Sequence, residues 1–239
     1  MKSLTFDIDW VPDEVVQHCL DILGEADVRA TFFATHRSKL IDTIESFGHE
    51  VGIHPNFMPN FNGKGKPYRE TIDELMAIFP QARGVRFHSL GYSAPILDYC
   101  FQSGIKYDSS VFLPFQAQPY LEYTGIRRIP FIESDLQTVI DQSGFAETSL
   151  LYDSSLPFIY VFHPIHVFLN TYSMNHYSVA KEYYHEPEAL LRHRNRKKDG
   201  VETMLVKILE SNKPANFLTT GEIYDLYREA GMRGSQDKH

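Results

Sequence analysis

The sequence predicts an α/β fold built on a parallel sheet, and three observations carry that reading. Strand-like and helical runs alternate from the first residues onward, the rhythm of a chain that crosses back between parallel strands. The length of 239 residues matches single α/β barrels, so one domain over residues 1–239 is expected. The residues best suited to chemistry also fall just beyond the strand-like runs, where β/α folds place their functional groups.

The first strand-like run is Leu4 to Ile8, followed by a helical pattern from Asp13 to Glu25 and a strand from Ala30 to Thr35. Ser38 to Phe47 reads as a helix, Glu50 to His54 as a short strand, Arg69 to Phe79 as a helix and Gly84 to His88 as a strand. A helix from Ala94 to Ser103 precedes a strand around Lys106 to Asp108, and the apolar runs Arg127 to Ile132 and Phe158 to Phe162 continue the sheet. Helices are expected at Val201 to Asn212 and Gly221 to Ala230, around a strand at Asn216 to Leu218. Pro55 to Pro67 and Thr171 to Pro187 carry Asn, Gly, Pro and Tyr, a composition of loops over a substrate cleft.

Composition removes several function classes. Hydrophobic residues make up 43% and charged residues 23%, as in a globular protein. A formal charge of −8 argues against a general nucleic-acid binder, which needs a basic face to release counterions. The one basic cluster, Arg192 to Lys198, reads as a solvated stretch, with some weight for contact to an anionic carrier group on the substrate. Cys19 and Cys100 lack metal-type spacing and sit in apolar helical patterns, which fits a reducing compartment. The opening residues read at once as a strand, and no apolar run approaches the ~18 residues of a membrane span, so a cytoplasmic protein is expected.

Three groups of residues carry chemistry. Asp7 and Asp9 flank Ile8 at a strand end, and both carboxylates reach the sheet's C-terminal edge only if the strand is already bending there. One could then ligate a divalent ion while the other acts as general base; the alternative is an Asp that caps the following helix. His54, ending the strand in Gly48-His49-Glu50-Val51-Gly52-Ile53-His54, suits zinc or a similar ion, or else is a hydrogen-bonded core histidine. In Phe162-His163-Pro164-Ile165-His166 a histidine could protonate a leaving amine if a carboxylate or carbonyl holds its other nitrogen; the alternative is a Pro turn.

Thr5-Phe6-Asp7-Ile8-Asp9, Ala30-Thr31-Phe32-Phe33, Gly48 to His54, Arg86 and Phe162-His163 together resemble the polysaccharide deacetylase (NodB-homology) family, carbohydrate esterase family four. The resemblance spans about residues 4 to 170. With Thr35-His36 and His163 to His166 it is similar to the WbmS-like branch linked to surface-polysaccharide biosynthesis. It implies a distorted (β/α) barrel that hydrolyses an N-acetyl or related amide on a sugar, with water activated by a divalent metal ion, zinc first among the candidates. By the same resemblance Asp7 is the base, Asp9 and His54 are metal ligands, Arg86 orients the catalytic Asp and His163 is the general acid. The substrate is expected to be an N-acylated sugar, on a nucleotide or lipid carrier.

One departure stands out. The family's second metal-binding His falls four residues after the first, and this chain has Met58 there, a poor ligand for a hard or borderline ion. His88 is the expected replacement, with His166 next and Asp135 third; His36 joins His166 and Asp135 among substrate-binding or alternative ligand residues. Trp10, Phe57, Phe61, Tyr92 and Tyr172 could stack on sugar faces. Two other readings keep the fold: a carbohydrate-binding homologue that has lost catalysis, and a hydrolase of a different C–N bond.

Overall fold

The computed structural model describes residues 1–115, 118–148 and 153–236. Strand β1 (Lys2–Asp9) is buried along almost its whole length. It pairs in parallel with β2 (Thr31–Ala34) on one side and β9 (Phe158–Phe162) on the other. The sheet continues in parallel from β2 through β3 (Glu50–Ile53) and β4 (Gly84–Val85) to β5 (Tyr107–Asp108). β1 is buried although it alternates polar and apolar residues, its polar Ser3, Thr5 and Asp7 being buried with the rest.

The sheet curls back on itself through one segment. Residues 127–134 begin as β7 (Arg127–Arg128), paired in parallel with β5, and end as β8 (Glu133–Ser134), paired in parallel with β9. Between them Pro130 interrupts the ladder, and a bridge from Phe112 to Phe131 keeps the segment in contact with the chain leaving β5. The run expected as one strand over Arg127 to Ile132 is therefore two short strands around a proline, which has no N–H to donate. A short antiparallel strand, β6 (Tyr120–Leu121), lies outside β7. The result is the distorted β/α barrel.

Helix α1 (Asp13–Glu25) buries Val15, Val16, Cys19, Leu20 and Leu23, an i, i+3/i+4 stripe facing the sheet. Helices α2 (Ile41–Ser46), α4 (Tyr68–Ile78), α5 (Ala94–Gln102) and α10 (Val201–Glu210) follow the expected pattern, with ends moved by a few residues. Both expected loops contain helix: α3 (Met58–Phe61) lies in the first and α8 (Met174–Ala180) in the second. Pro59 presets the first turn of α3. The Ser173 hydroxyl caps α8 by accepting the His176 N–H at 3.2 Å. Helices α6 (Asp135–Asp141), α7 (Pro164–Leu169) and α9 (Pro187–His193) are too short to show a period in the sequence.

The expected strand at Asn216 to Leu218 is a 3-10 turn at Pro214–Asn216 followed by an isolated bridge from Phe217 to Lys2. Helix α11 (Thr220–Gln236) then closes the N-terminal end of the barrel. There the Gly221 N–H donates to Glu50 at 2.7 Å and the Thr220 N–H to Thr31 at 2.8 Å. Close packing here gives a stability prediction. A Cβ on Gly84 would sit 2.2 Å from the ring of the fully buried Tyr107. Gly84→Ala is therefore expected to destabilise the fold by about 1–3 kcal/mol, the usual cost of overpacking, measured as a lowered denaturation midpoint.

Candidate active site

Asp7 and Asp9 both line one cavity because β1 bends between them. The pairing register with β2 slips between Asp7 and Asp9, and Asp9 adopts a left-handed φ of 49°. Such a conformation is uncommon outside glycine and costs about 1–3 kcal/mol, so the surroundings must enforce it. The Thr35 hydroxyl does part of this by donating to the Asp9 carbonyl. Neither Asp caps α1, whose N-cap residue is Pro12 with no side-chain hydrogen bond.

Arg86 is fully buried and anchors Asp7. Its guanidinium reaches Asp7 Oδ1 at 3.1 Å, Thr5 Oγ1 at 2.5 Å, and the carbonyl and hydroxyl of Ser109, each at 2.8 Å. It also lies 4.5 Å above the Phe33 ring. A buried charge needs this many partners to offset its lost hydration. The strand expected over Gly84 to His88 stops at Val85: the Arg86 N–H still reaches the Ile53 carbonyl at 3.0 Å, and the groups after it leave the sheet. The Phe87 N–H donates to Ser110 Oγ and the His88 N–H to the Pro55 carbonyl, which starts the turn His88–Leu90.

That turn delivers His88 to Asp9. His88 Nδ1 lies 2.9 Å and His54 Nε2 3.4 Å from the same Asp9 oxygen. The ligand atoms of Asp9, His54 and His88 all fall within 4.8 Å of one another. Burial alone would raise the Asp9 pKa, but hydrogen bonds from the two histidines hold it well below the usual carboxylate range. His54 is 2% exposed, and its Nδ1 has no hydrogen-bond partner among the described residues. It is therefore not a histidine satisfied by the core. One carboxylate and two imidazoles converging at this spacing fit a divalent ion such as zinc, with room for further ligands. Trp10 packs edge-on against the His88 ring at 5.2 Å and steadies it. Met58 sits on α3, 38% exposed, outside the cluster.

His163 stands at the end of β9 as the N-cap residue of α7, so the expected Pro turn is the first turn of a helix with Pro164 at its start. Asp135, fully buried, accepts from the His163 backbone N–H at 2.6 Å and contacts its Nδ1 at 2.8 Å. Burial disfavours the imidazolium, but Asp135, with help from Asp7 and Asp9, pushes the His163 pKa up to about 10. Asp135 thus serves His163 and is corrected as a third-ligand candidate. His166 lies outside the Asp9–His54–His88 group but lines the same cavity; it is buried, contacts Thr171 Oγ1 at 3.2 Å and packs on the Tyr177 ring at 4.5 Å. Burial lowers its pKa to about 4, so it is neutral at physiological pH. His36 contacts Thr35 Oγ1 at 2.9 Å and is not among the described residues that line the cavity.

The cavity itself, about 310 Å³, is lined on one side by Asp7, Asp9, His54, Arg86, His88 and His163. Phe112, Phe131, Leu136, Ile140 and Ile165 form an apolar wall beside His163. Of the aromatic candidates, Phe57 is fully buried against Phe87 and cannot meet a sugar, whereas Trp10 is 43% exposed beside Asp9. Tyr177 was not anticipated. It lines both this cavity and an adjoining one that holds Trp10, Lys181, Tyr184 and His185. Only its place in a helix hidden within an expected loop brings it there.

Carboxylates and imidazoles gathered at the C-terminal edge of the strands of a β/α barrel stand where enzymes of this fold carry their active sites. The WbmS-like polysaccharide deacetylase family model matches residues 4–181, and the chain belongs to that family. It is similar to WbmS of Bordetella bronchiseptica, described as a polysaccharide deacetylase involved in O-antigen biosynthesis. That match has 32% identity and a TM-score of 0.82, covering 88% of this chain and 90% of that one. A Mycobacterium smegmatis polysaccharide deacetylase structure matches with 16% identity and a TM-score of 0.61, over 96% of this chain and 90% of that one. BA3943 of Bacillus anthracis, a CE4 family pseudoenzyme, shares the fold at 16% identity and a TM-score of 0.50, over 94% of this chain and 65% of that one. No curated protein matches the chain.

Proposed function

We propose that residues 1–239 form one catalytic domain, a metal-dependent carbohydrate N-deacetylase acting in surface-polysaccharide (O-antigen or capsule) biosynthesis. The observation that carries this reading is the convergence of Asp9, His54 and His88 beside the Arg86–Asp7 and Asp135–His163 pairs in one cavity. The likeness to WbmS, described as acting in O-antigen biosynthesis, supports the pathway class. The buried, unpaired Cys19 and Cys100 accord with a reducing compartment, the cytoplasm. No helix among the described residues is long and apolar enough to cross a membrane.

The reaction adds water to the amide of an N-acyl sugar and releases the carboxylic acid and the free amine. Asp9, His54 and His88 would hold a divalent ion, zinc in our reading, which supplies Lewis-acid polarisation of the carbonyl and lowers the pKa of the attacking water. Asp7, oriented by Arg86, takes a proton from the attacking water. His163, held protonated and aimed by Asp135, gives a proton to the amine nitrogen. His166, neutral and hydrogen-bonded, packs behind His163 with ring centroids 5.7 Å apart and limits its rotation.

The test is acetate release from N-acetylated amino sugars, free and diphosphate-linked. Release matched by free amine, lost on chelation and restored by zinc or cobalt, is the expected result. Full metal loading with no release from any sugar would favour the carbohydrate-binding alternative.

A further inference from the structure

The basic run Arg192 to Lys198 has no part in the chemistry above, yet the fold gathers it into a shaped site. Two adjoining concavities, of about 670 and 520 Å³, share Arg194, Asn195, Arg196, Lys197 and Lys198 in their walls. Asn195 Oδ1 accepts the N–H groups of Lys197 and Lys198, both at 3.1 Å, and so folds the loop. Arg194 is neutralised by Glu202. Arg192, Arg196, Lys197 and Lys198 are exposed and form no ion pair with a carboxylate among the described residues. In a chain of net charge −8, these uncompensated cations form a local positive patch that attracts an anion.

The floor is built as well. Lys198 Nζ lies 4.2 Å over the Tyr172 ring, which stacks on His176 at 4.8 Å. His176 Nε2 is tied to the His193 carbonyl at 2.7 Å, and its buried Nδ1 has no partner among the described residues. This floor adjoins the segment that reaches the catalytic centre. Tyr183 stacks on His193 at 4.9 Å, and the segment carrying it lines the cavity that also holds Asp9, Trp10, His88 and Tyr177. His176 belongs to α8, and its neighbour Tyr177 lines that cavity. Lys181 offsets only one of the carboxylates of Asp9, Glu182 and Glu186 that line that cavity, so charge complementarity favours the sugar there and the anion on the basic loop.

We infer that this concavity binds the diphosphate that links the substrate sugar to its carrier, an inference that rests on the deacetylase reading. Arginine and lysine side chains grip phosphate oxygens through charge-assisted hydrogen bonds, and exposed pairs of this kind weaken with salt.

Calorimetry of the intact protein with inorganic pyrophosphate tests the site without reference to catalysis. Saturable binding is expected, weakened about tenfold or more in the double variant Arg196→Glu, Lys197→Glu and unchanged in Asp9→Ala. The double variant should deacetylate a carrier-free N-acetyl sugar at the unaltered rate; if neither form does so, the deacetylase reading fails while the binding result still stands. Tighter binding of UDP than of pyrophosphate would identify a nucleotide carrier. Equal affinity for the two, with binding to vesicles containing a polyprenyl diphosphate, would identify a lipid one. Absence of saturable binding, binding lost in Asp9→Ala but kept in the double variant, or adsorption only to phosphatidylglycerol vesicles would overturn the inference.

Discussion

Asp7→Asn is expected to lower turnover by about 10²- to 10⁴-fold while leaving metal content nearly intact. The amide keeps the size of the carboxylate, but it cannot take a proton from water. Asp7 lies outside the Asp9–His54–His88 group, so the ion should remain bound. Arg86, fully buried, would lose its only ionic partner among the described residues, so the variant should also be less stable. Elemental analysis beside kinetics separates the two effects. Equal loss of metal in Asp7→Asn and Asp9→Asn would show that the roles of the two carboxylates are divided wrongly.

His163→Ala is expected to slow the chemical step by about 10²- to 10⁴-fold with metal still bound, because an amine cannot depart unprotonated. Asp135→Asn tests how that proton is held. The His163 pKa is raised to about 10, so the acid form persists across neutral and mildly alkaline pH, and the alkaline limb of kcat/KM should lie high. Removing the Asp135 carboxylate should move that limb down toward ~6.5, the ordinary imidazole value. The sign for stability agrees: the pair's contribution is fully present below ~6.5 and fades as pH rises through about 10. A profile unmoved by Asp135→Asn, or full activity in His163→Ala with loss in His166→Ala, would assign the acid elsewhere.

The strands and the site residues were legible for the same reason. Short strand-like runs mark the buried parallel strands, and Asp7, Asp9, His54 and His163 each stand at or near the end of one. His88 was legible only as a candidate. Nothing local says that Phe87 and His88 give their N–H groups to Ser110 and Pro55, yet those bonds turn the imidazole onto Asp9. Asp135 was seen but misplaced, because its role depends on a contact with His163 across 28 residues. Tyr177 was missed because α8 is only seven residues long, and the barrel's closure at Pro130 because it depends on pairing with two distant strands.

The central claim is that His88 replaces the histidine that Met58 displaces. The most direct measurement is anomalous diffraction at the zinc edge from crystals grown with zinc. A single peak within bonding distance of Asp9, His54 and His88, absent in His88→Ala crystals, is the predicted result. No peak at this site, or one ligated by His166 or Asp135 with His88 turned away, would contradict the account.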